Sequence, residues 1–117
     1  MKFGGTSVSN LSRIKNLQQL VKNKILSGHR KIIVVVSAMS GVTNTLVEQY
    51  KNIDSDINKP EYDVILSTGE QYSSALISTF LNKNGLKSRS ILGWQIPIIT
   101  DDKFSQERIK RINTEKI

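Results

Sequence analysis

Near the start of the chain, Lys2-Phe3-Gly4-Gly5-Thr6-Ser7 puts a lysine, two adjacent glycines and two hydroxyls into one short run. Adjacent glycines let a backbone turn without Cβ atoms and bring its N–H groups close to an anion. The lysine adds a mobile positive charge, and a helix beginning just beyond would add a favourable dipole. The run therefore reads as a phosphate cradle, with an ordinary strand-to-helix turn as the plain alternative. It is not a P-loop, because the lysine precedes the glycines and no Gly-x-x-x-x-Gly-Lys-Ser/Thr pattern occurs. The dinucleotide fingerprint is absent as well.

Two further polar segments could act with it. Ser37-Ala38-Met39-Ser40-Gly41-Val42-Thr43-Asn44 carries hydroxyls and an amide on a small-residue turn entering a helix. Such a turn binds carboxylate or phosphate oxygens through side chains and free N–H groups, or simply caps the helix. Ser67-Thr68-Gly69-Glu70 reads as the opening of another helix. A carboxylate in a first turn ordinarily complements the dipole, and beside a basic loop it could instead hold a substrate ammonium group.

The elements that must position these segments follow from the apolar pattern. Ser9 or Asn10 can cap a helix whose residues Leu11, Ile14, Leu17, Val21 and Ile25 fall three and four apart, with Gly28 ending it. Lys31 to Ser37 contains Ile32-Ile33-Val34-Val35-Val36, a β-branched run without alternation, which predicts a central parallel strand covered on both faces. A second helix is expected from about Thr43 to Tyr50, then a loop from Lys51 to Asp63 marked by Asn, Asp, Ser and Pro60. Val64 to Leu66 leads into the Ser67 segment, and Tyr72, Ala75, Leu76, Thr79 and Phe80 form a helical stripe stopping at Asn84-Gly85. Ser88 to Leu92 and Ile96 to Thr100 read as strands, with Pro97 at a strand start or an edge. Alternating strands and helices imply a mainly parallel open α/β sheet, whose ligands sit outside the carboxyl ends of its strands. All three polar segments are expected at such ends.

Composition narrows the function classes. A chain of 117 residues allows one small domain with a modest core. The formal charge of +7 favours an anionic partner, but the basic residues are scattered and only Arg108 to Lys116 resembles a patch. Without aromatic interleaving or a nucleic-acid module, that charge reads as a solvated surface. No nucleic-acid partner is expected. The absence of cysteine excludes disulfides and thiolate metal sites and suits a cytoplasmic location. His29, next to Gly28, reads as a helix C-terminal residue, since a zinc site needs several partners. No apolar stretch approaches the roughly 20 residues that span a bilayer, so no membrane partner is expected.

Four blocks carry a family resemblance: Lys-Phe-Gly-Gly-Thr-Ser at 2–7, Val-Val-Ser-Ala-Met-Ser-Gly-Val-Thr-Asn at 35–44, Ser-Thr-Gly-Glu-Gln at 67–71 and Gly-Trp-Gln-Ile-Pro-Ile-Ile-Thr-Asp at 93–101. In this order the chain resembles the aspartokinases. The resemblance implies the amino-acid kinase fold, and transfer of the γ-phosphoryl of ATP, with Mg2+, to the side-chain carboxylate of L-aspartate, giving 4-phospho-L-aspartate. Carried across by position, it implies that Lys2, Phe3, Gly4 and Gly5 contact phosphates, with Lys2 the catalytic cation offsetting charge on the γ-group. Ser37 would lie near the nucleotide, Thr43 would contact aspartate, and Glu70 would bind its ammonium. No metal ligand is assigned within the chain.

Aspartokinases begin their first strand a few residues earlier. They continue beyond the segment resembling Ile96 to Ile109 with a second half of the kinase domain, which supplies the adenine pocket, and usually with ACT-type regulatory modules. Residues 1–117 are therefore expected to be an incomplete, amino-terminal, mainly acceptor-binding portion with no ACT module. The basic tail from Glu107 to Ile117 would end without a closing strand. The missing half or a second copy of the chain would be the macromolecular partner. A catalytically silent remnant or interaction module that keeps the acceptor-binding half is the alternative reading.

Overall fold

The computed structural model describes residues 1–116. Its first unit is a β-α-β crossover. Strand β1 (Lys2–Phe3) leads through a 3-10 turn (Gly5–Val8) into helix α1 (Leu11–Leu26), and strand β2 (Val35–Val36) returns parallel to β1. Cα partners are Lys2 with Val35 and Phe3 with Val36. Helix α2 (Val42–Lys51) and the long helix α3 (Pro60–Lys83) follow, and strands β3 (Ile98–Thr100) and β4 (Ile109–Ile112) close an antiparallel hairpin.

The helix ends obey local chemistry. Asn10 caps α1, its side-chain oxygen accepting the Arg13 N–H at 3.0 Å. At the far end Gly28 takes a φ of +94°, its N–H donates to the Ile25 carbonyl, and the His29 N–H donates to the Lys24 carbonyl. This pair of bonds satisfies carbonyls the helix leaves open. Helix α3 ends the same way: Gly85 takes a φ of +78° and donates to the Asn82 carbonyl, and Leu86 donates to that of Leu81. Leu86 then packs against the core that contains Leu81.

That core lies between α1, α3 and one face of the parallel strands. Val8, Ile14, Leu17, Val21, Ile77 and Leu81 are buried, with Phe3, Ile32, Val34 and Val36 packed against them. The inward face of α3 is Gly69, Ser73, Ile77 and Leu81, four residues apart. This corrects the expected stripe: Tyr72, Ala75 and Thr79 are exposed, and Leu76 and Phe80 flank the contact half-buried.

Other expectations are also corrected. The strand expected over Lys31 to Ser37 pairs only at Val35–Val36, and its burial alternates: Ile32, Val34 and Val36 face the core while Ile33 is 58 % and Val35 53 % exposed. The second face is therefore open to solvent at Ile33 and Val35. The expected loop from Lys51 to Asp63 is shorter, because Pro60 starts α3 with Glu61 and Asp63 in its first turn. Proline suits that first position, where its missing N–H has no helical partner anyway, and the acids favour the positive end of the dipole. Val64 to Leu66 are helical. Ser67 to Glu70 consequently sit in the body of α3 rather than at its opening.

Ser88 to Leu92 form no strand, and the strand expected over Ile96 to Thr100 begins at Ile98. Pro97 precedes it and accepts the Asn113 N–H at 3.1 Å, as befits a residue at a strand start. The basic tail contains the closing strand β4, whose Ile112 and Arg111 face Ile98 and Ile99. Its final residue, Ile117, lies outside the described residues. The hairpin is exposed along both strands. Its connecting loop is tied down where Ser105, with a φ of +63°, donates its N–H to Asp63 at 3.2 Å and its hydroxyl to the Ile57 carbonyl at 2.6 Å.

Candidate phosphate and acceptor site

The parallel pairing of β1 and β2 brings the Gly4-Gly5 turn beside the Ser37–Ser40 turn, since both leave the carboxyl ends of adjacent strands. Hydrogen bonds continue past the strands: the Ser37 N–H donates to the Phe3 carbonyl at 3.2 Å, and the Ser40 N–H donates to the Gly5 carbonyl at 3.2 Å. The two glycines have different surroundings. A Cβ on Gly5 would lie 2.6 Å from the Ala38 carbonyl oxygen and 3.3 Å from the Ser40 nitrogen, so the second turn packs directly on bare backbone. A Cβ on Gly4 would meet nothing within 4 Å, and its φ of −77° is open to any residue.

Helix α3 supplies the third component through its middle rather than its N-terminus. One carboxylate oxygen of Glu70 accepts the Ala38 N–H at 3.1 Å, and the buried Ser73 hydroxyl donates to the Ser37 carbonyl at 2.9 Å. Gly69 faces the same residue, its missing Cβ sitting 2.9 Å from that of Ala38. Ala38, only 3 % exposed, is the point where the two turns and α3 meet. Gly41, with a φ of +87°, then turns the chain into α2, where Thr43 stands exposed in the first turn.

The residues singled out from the sequence divide accordingly. Gly5, Ser37 and Glu70 join one bonded and packed cluster, and Gly4 borders it. The Phe3 side chain belongs to the core, so its exposure to the turn is through its carbonyl. Lys2 projects from the open face of β1, opposite Val35. Among the described residues no hydrogen bond joins Lys2 or Thr43 to the cluster. Two cavities border the strands, and neither is lined by Ser37, Ala38 or Glu70. One of about 210 Å3 is lined by Met1, Lys24, His29, Lys31, Ile32 and Ile33 at the other end of the strands, and one of about 150 Å3 lies between Phe3, Ser7 and α1.

Ser73 is the participant that sequence reasoning missed, and Gly69, though inside a segment singled out, was given no packing role. The signal for both was a four-residue spacing with Ile77 and Leu81, hidden because glycine and serine resemble turn formers. The described residues gather no group of three or more acidic or histidine side chains in metal-ligand proximity. No helix among them is long and apolar enough to cross a membrane.

Residues 1–117 match the sequence profile of the amino acid kinase family over their whole length. The chain belongs to that family. An aspartokinase of Rickettsia conorii is 41 % identical over 117 residues, which cover 97 % of this chain and 29 % of that protein. An aspartokinase of Geobacillus stearothermophilus is 41 % identical over 116 residues, covering 99 % of this chain and 28 % of its own length. An aspartate kinase of Pseudomonas fluorescens reaches 44 % over 119 residues, with 99 % and 28 % covered. Among solved structures, the crystal structure of aspartate kinase from Synechocystis superposes with a TM-score of 0.67 at 42 % identity, over 72 % of this chain and 14 % of that one. The chain thus spans less than a third of the length of these relatives. The expected α/β class is the one observed, and of the expected mainly parallel open sheet the described residues form one parallel pair backed by helices, with the antiparallel hairpin as a separate sheet.

Proposed function

We propose that this chain forms the phosphate-binding and acceptor-binding portion of an aspartokinase-like site, which transfers the γ-phosphoryl group of ATP to the side-chain carboxylate of L-aspartate. The observation that carries the reading is the bond between Glu70 and Ala38. It sets an acidic side chain within one packed residue of the glycine turn, so one ligand's ammonium group and another's phosphates can be held side by side. Only one Glu70 oxygen is taken by that bond, which leaves the other for the aspartate ammonium. Gly4 supports the reading too: neither its backbone angles nor its neighbours require a glycine, and the space beside it suits a closely approaching anion.

The roles are those that the resemblance to aspartokinases implies. Lys2 offsets negative charge on the transferring group, Gly4 and Gly5 offer backbone close to phosphate, Ser37 lies on the nucleotide side, and Thr43 contacts the amino acid. Phosphoryl transfer asks little covalent chemistry of a protein; it needs two anions held in line with their repulsion neutralised. The aspartate carboxylate is already ionised at neutral pH and needs no general base. Mg2+ would enter with ATP, and since the described residues build no acidic cluster for it, no step is assigned to it. The site would work in the cytoplasm, where ATP and free amino acids are available.

A coupled assay of aspartate-dependent ADP release tests this. The expected result is release that falls when Lys2→Ala removes the cation. Release no greater than that of the Lys2→Ala variant overturns turnover by this chain. It would favour the second reading, an interaction module, which is supported by the exposed Ile33 and Val35 on the open sheet face.

A further inference from the structure

We propose that Ser73 is a positioning residue for the phosphate turn, acting with the bare Gly69 beside it to seat the Ser37–Ala38 backbone on Gly5. The inference rests on the site reading above and adds to it what sets the turn's shape. Serine and threonine hydroxyls inside helices ordinarily bond back to a carbonyl three or four residues earlier. In α3, Ser67, Thr68, Ser74 and Thr79 do so. Ser73 has the same option at Glu70, 3.1 Å away, yet its shorter bond of 2.9 Å leaves the helix for the Ser37 carbonyl. It is fully buried, and an unpaired carbonyl at that depth would carry a desolvation penalty.

The grip extends to every side of one peptide. The carbonyl of Ser37 is held by Ser73, the N–H of Ala38 by Glu70, the methyl of Ala38 touches the gap left by Gly69, and the carbonyl of Ala38 presses into the gap left by Gly5. With Cβ-to-atom separations of 2.9 and 2.6 Å at the two glycines, neither could carry a side chain without displacing Ala38. Helix α3 therefore dictates where the Ser37–Ser40 turn lies. The Ser40 N–H then passes that placement to the Gly5 carbonyl.

Two-dimensional 15N–1H spectra of the full chain test this without relying on turnover. Ser73→Ala is expected to move the amide signals of Gly5, Ala38 and Ser40 while those of Leu17 and Val21 stay in place. Ser74→Ala, which removes only a bond within the helix, serves as the control. Gly69→Ala should move the same signals and lower Tm. Adding Ala38→Gly, which deletes the methyl that the new Cβ meets, should return Gly5 and Ser40 towards their original positions and recover much of the Tm. Shifts at Gly5 and Ser40 no larger in Ser73→Ala than in Ser74→Ala overturn the proposal. So does a Gly69→Ala defect that Ala38→Gly leaves unchanged, and this pair decides alone if Ser73→Ala fails to fold.

Titration with ATP separates this inference from the functional reading. Ser73→Ala should weaken ATP binding about tenfold, the scale of one lost hydrogen bond. Equal affinity of the two proteins overturns the positioning role. If the unmodified chain binds no ATP, the phosphate reading falls and the shifts of the free proteins still decide the role of Ser73.

Discussion

The layer formed by α1, α3 and the parallel strands and the hairpin formed by β3 and β4 both carry isoleucines, and they use them differently. In the first, Ile14 and Ile77 are 1 % and 4 % exposed, because two helices cover one face of the strands. In the second, Ile98, Ile99, Ile109 and Ile112 are all more than 40 % exposed, because a two-stranded ribbon has no layer of its own to bury them. Burial, rather than apolar content, separates the region that holds the fold from the region attached to it.

Mutation can break or sharpen that contrast. Leu17→Ala, in the covered layer, should cost about 2–5 kcal/mol of stability by denaturant unfolding, whereas Ile109→Ala in the hairpin should cost under about 0.5 kcal/mol. Similar losses at both positions would mean that the hairpin is packed in solution. Gly5→Ala should cost about 1–3 kcal/mol, since its Cβ has to displace the Ala38 carbonyl, while Gly4→Ala should leave Tm within error. A smaller effect is expected at the hairpin's attachment. Ser105→Ala removes its hydroxyl bond to Ile57, should cost about 0.5–1.5 kcal/mol, and should speed hydrogen exchange in β3 and β4 but not in α1.

The smallest effect should come from the Asp54–Lys59 ion pair, which is partly exposed beside Tyr50. The hydrogen bond from Lys59 holds the Asp54 carboxyl below its ordinary value, and the same bond raises the Lys59 ammonium. A depressed carboxyl stabilises above its unfolded value and loses that contribution as pH falls through the folded one; the raised lysine loses its own as pH rises through its folded value. The pair should therefore be indifferent to pH across the neutral range and fail only at the acid and alkaline ends. An NMR titration of Asp54 should show its midpoint return to the usual aspartate range in Lys59→Ala, with little change in Tm. Burial, ahead of the neighbouring Asp54, pushes the Tyr50 hydroxyl up, and that hydroxyl bonds the Asp56 carbonyl at 2.8 Å. The Tyr50 ring also meets Tyr62 edge-on with centroids 5.0 Å apart.

Where local chemistry decides, the sequence was readable. The Asn10 cap, the Gly28 and Asn84-Gly85 stops and the existence of α1 and α2 all depend on residues within a turn of one another. Pro60 was misread because proline marks loops and first helical turns alike, and the choice between them rests on the residues C-terminal to it. That single ambiguity displaced Glu70 from the body of a helix to its opening. The β2 run looked doubly covered because β-branched residues fit either state, and what packs on a face is decided by distant chain. In the tail, charge at Lys110 and Arg111 masked the isoleucines on either side of them. The site was legible as three segments, but its centre at Ala38 was not, because an alanine carries no chemical signal and its importance is its size.

The central claim is that the glycine turn, the Ser37–Ser40 turn and Glu70 form one site for a polyanion and a small amino acid. It is tested most directly by following amide signals of the 15N-labelled chain during separate titrations with ATP and L-aspartate. The account predicts that ATP moves Gly4 and Gly5, that L-aspartate moves Thr43 and Ala38, and that Glu70→Gln abolishes the second response. Ligands that leave these amides still, or that act only on residues 98–112, would contradict it.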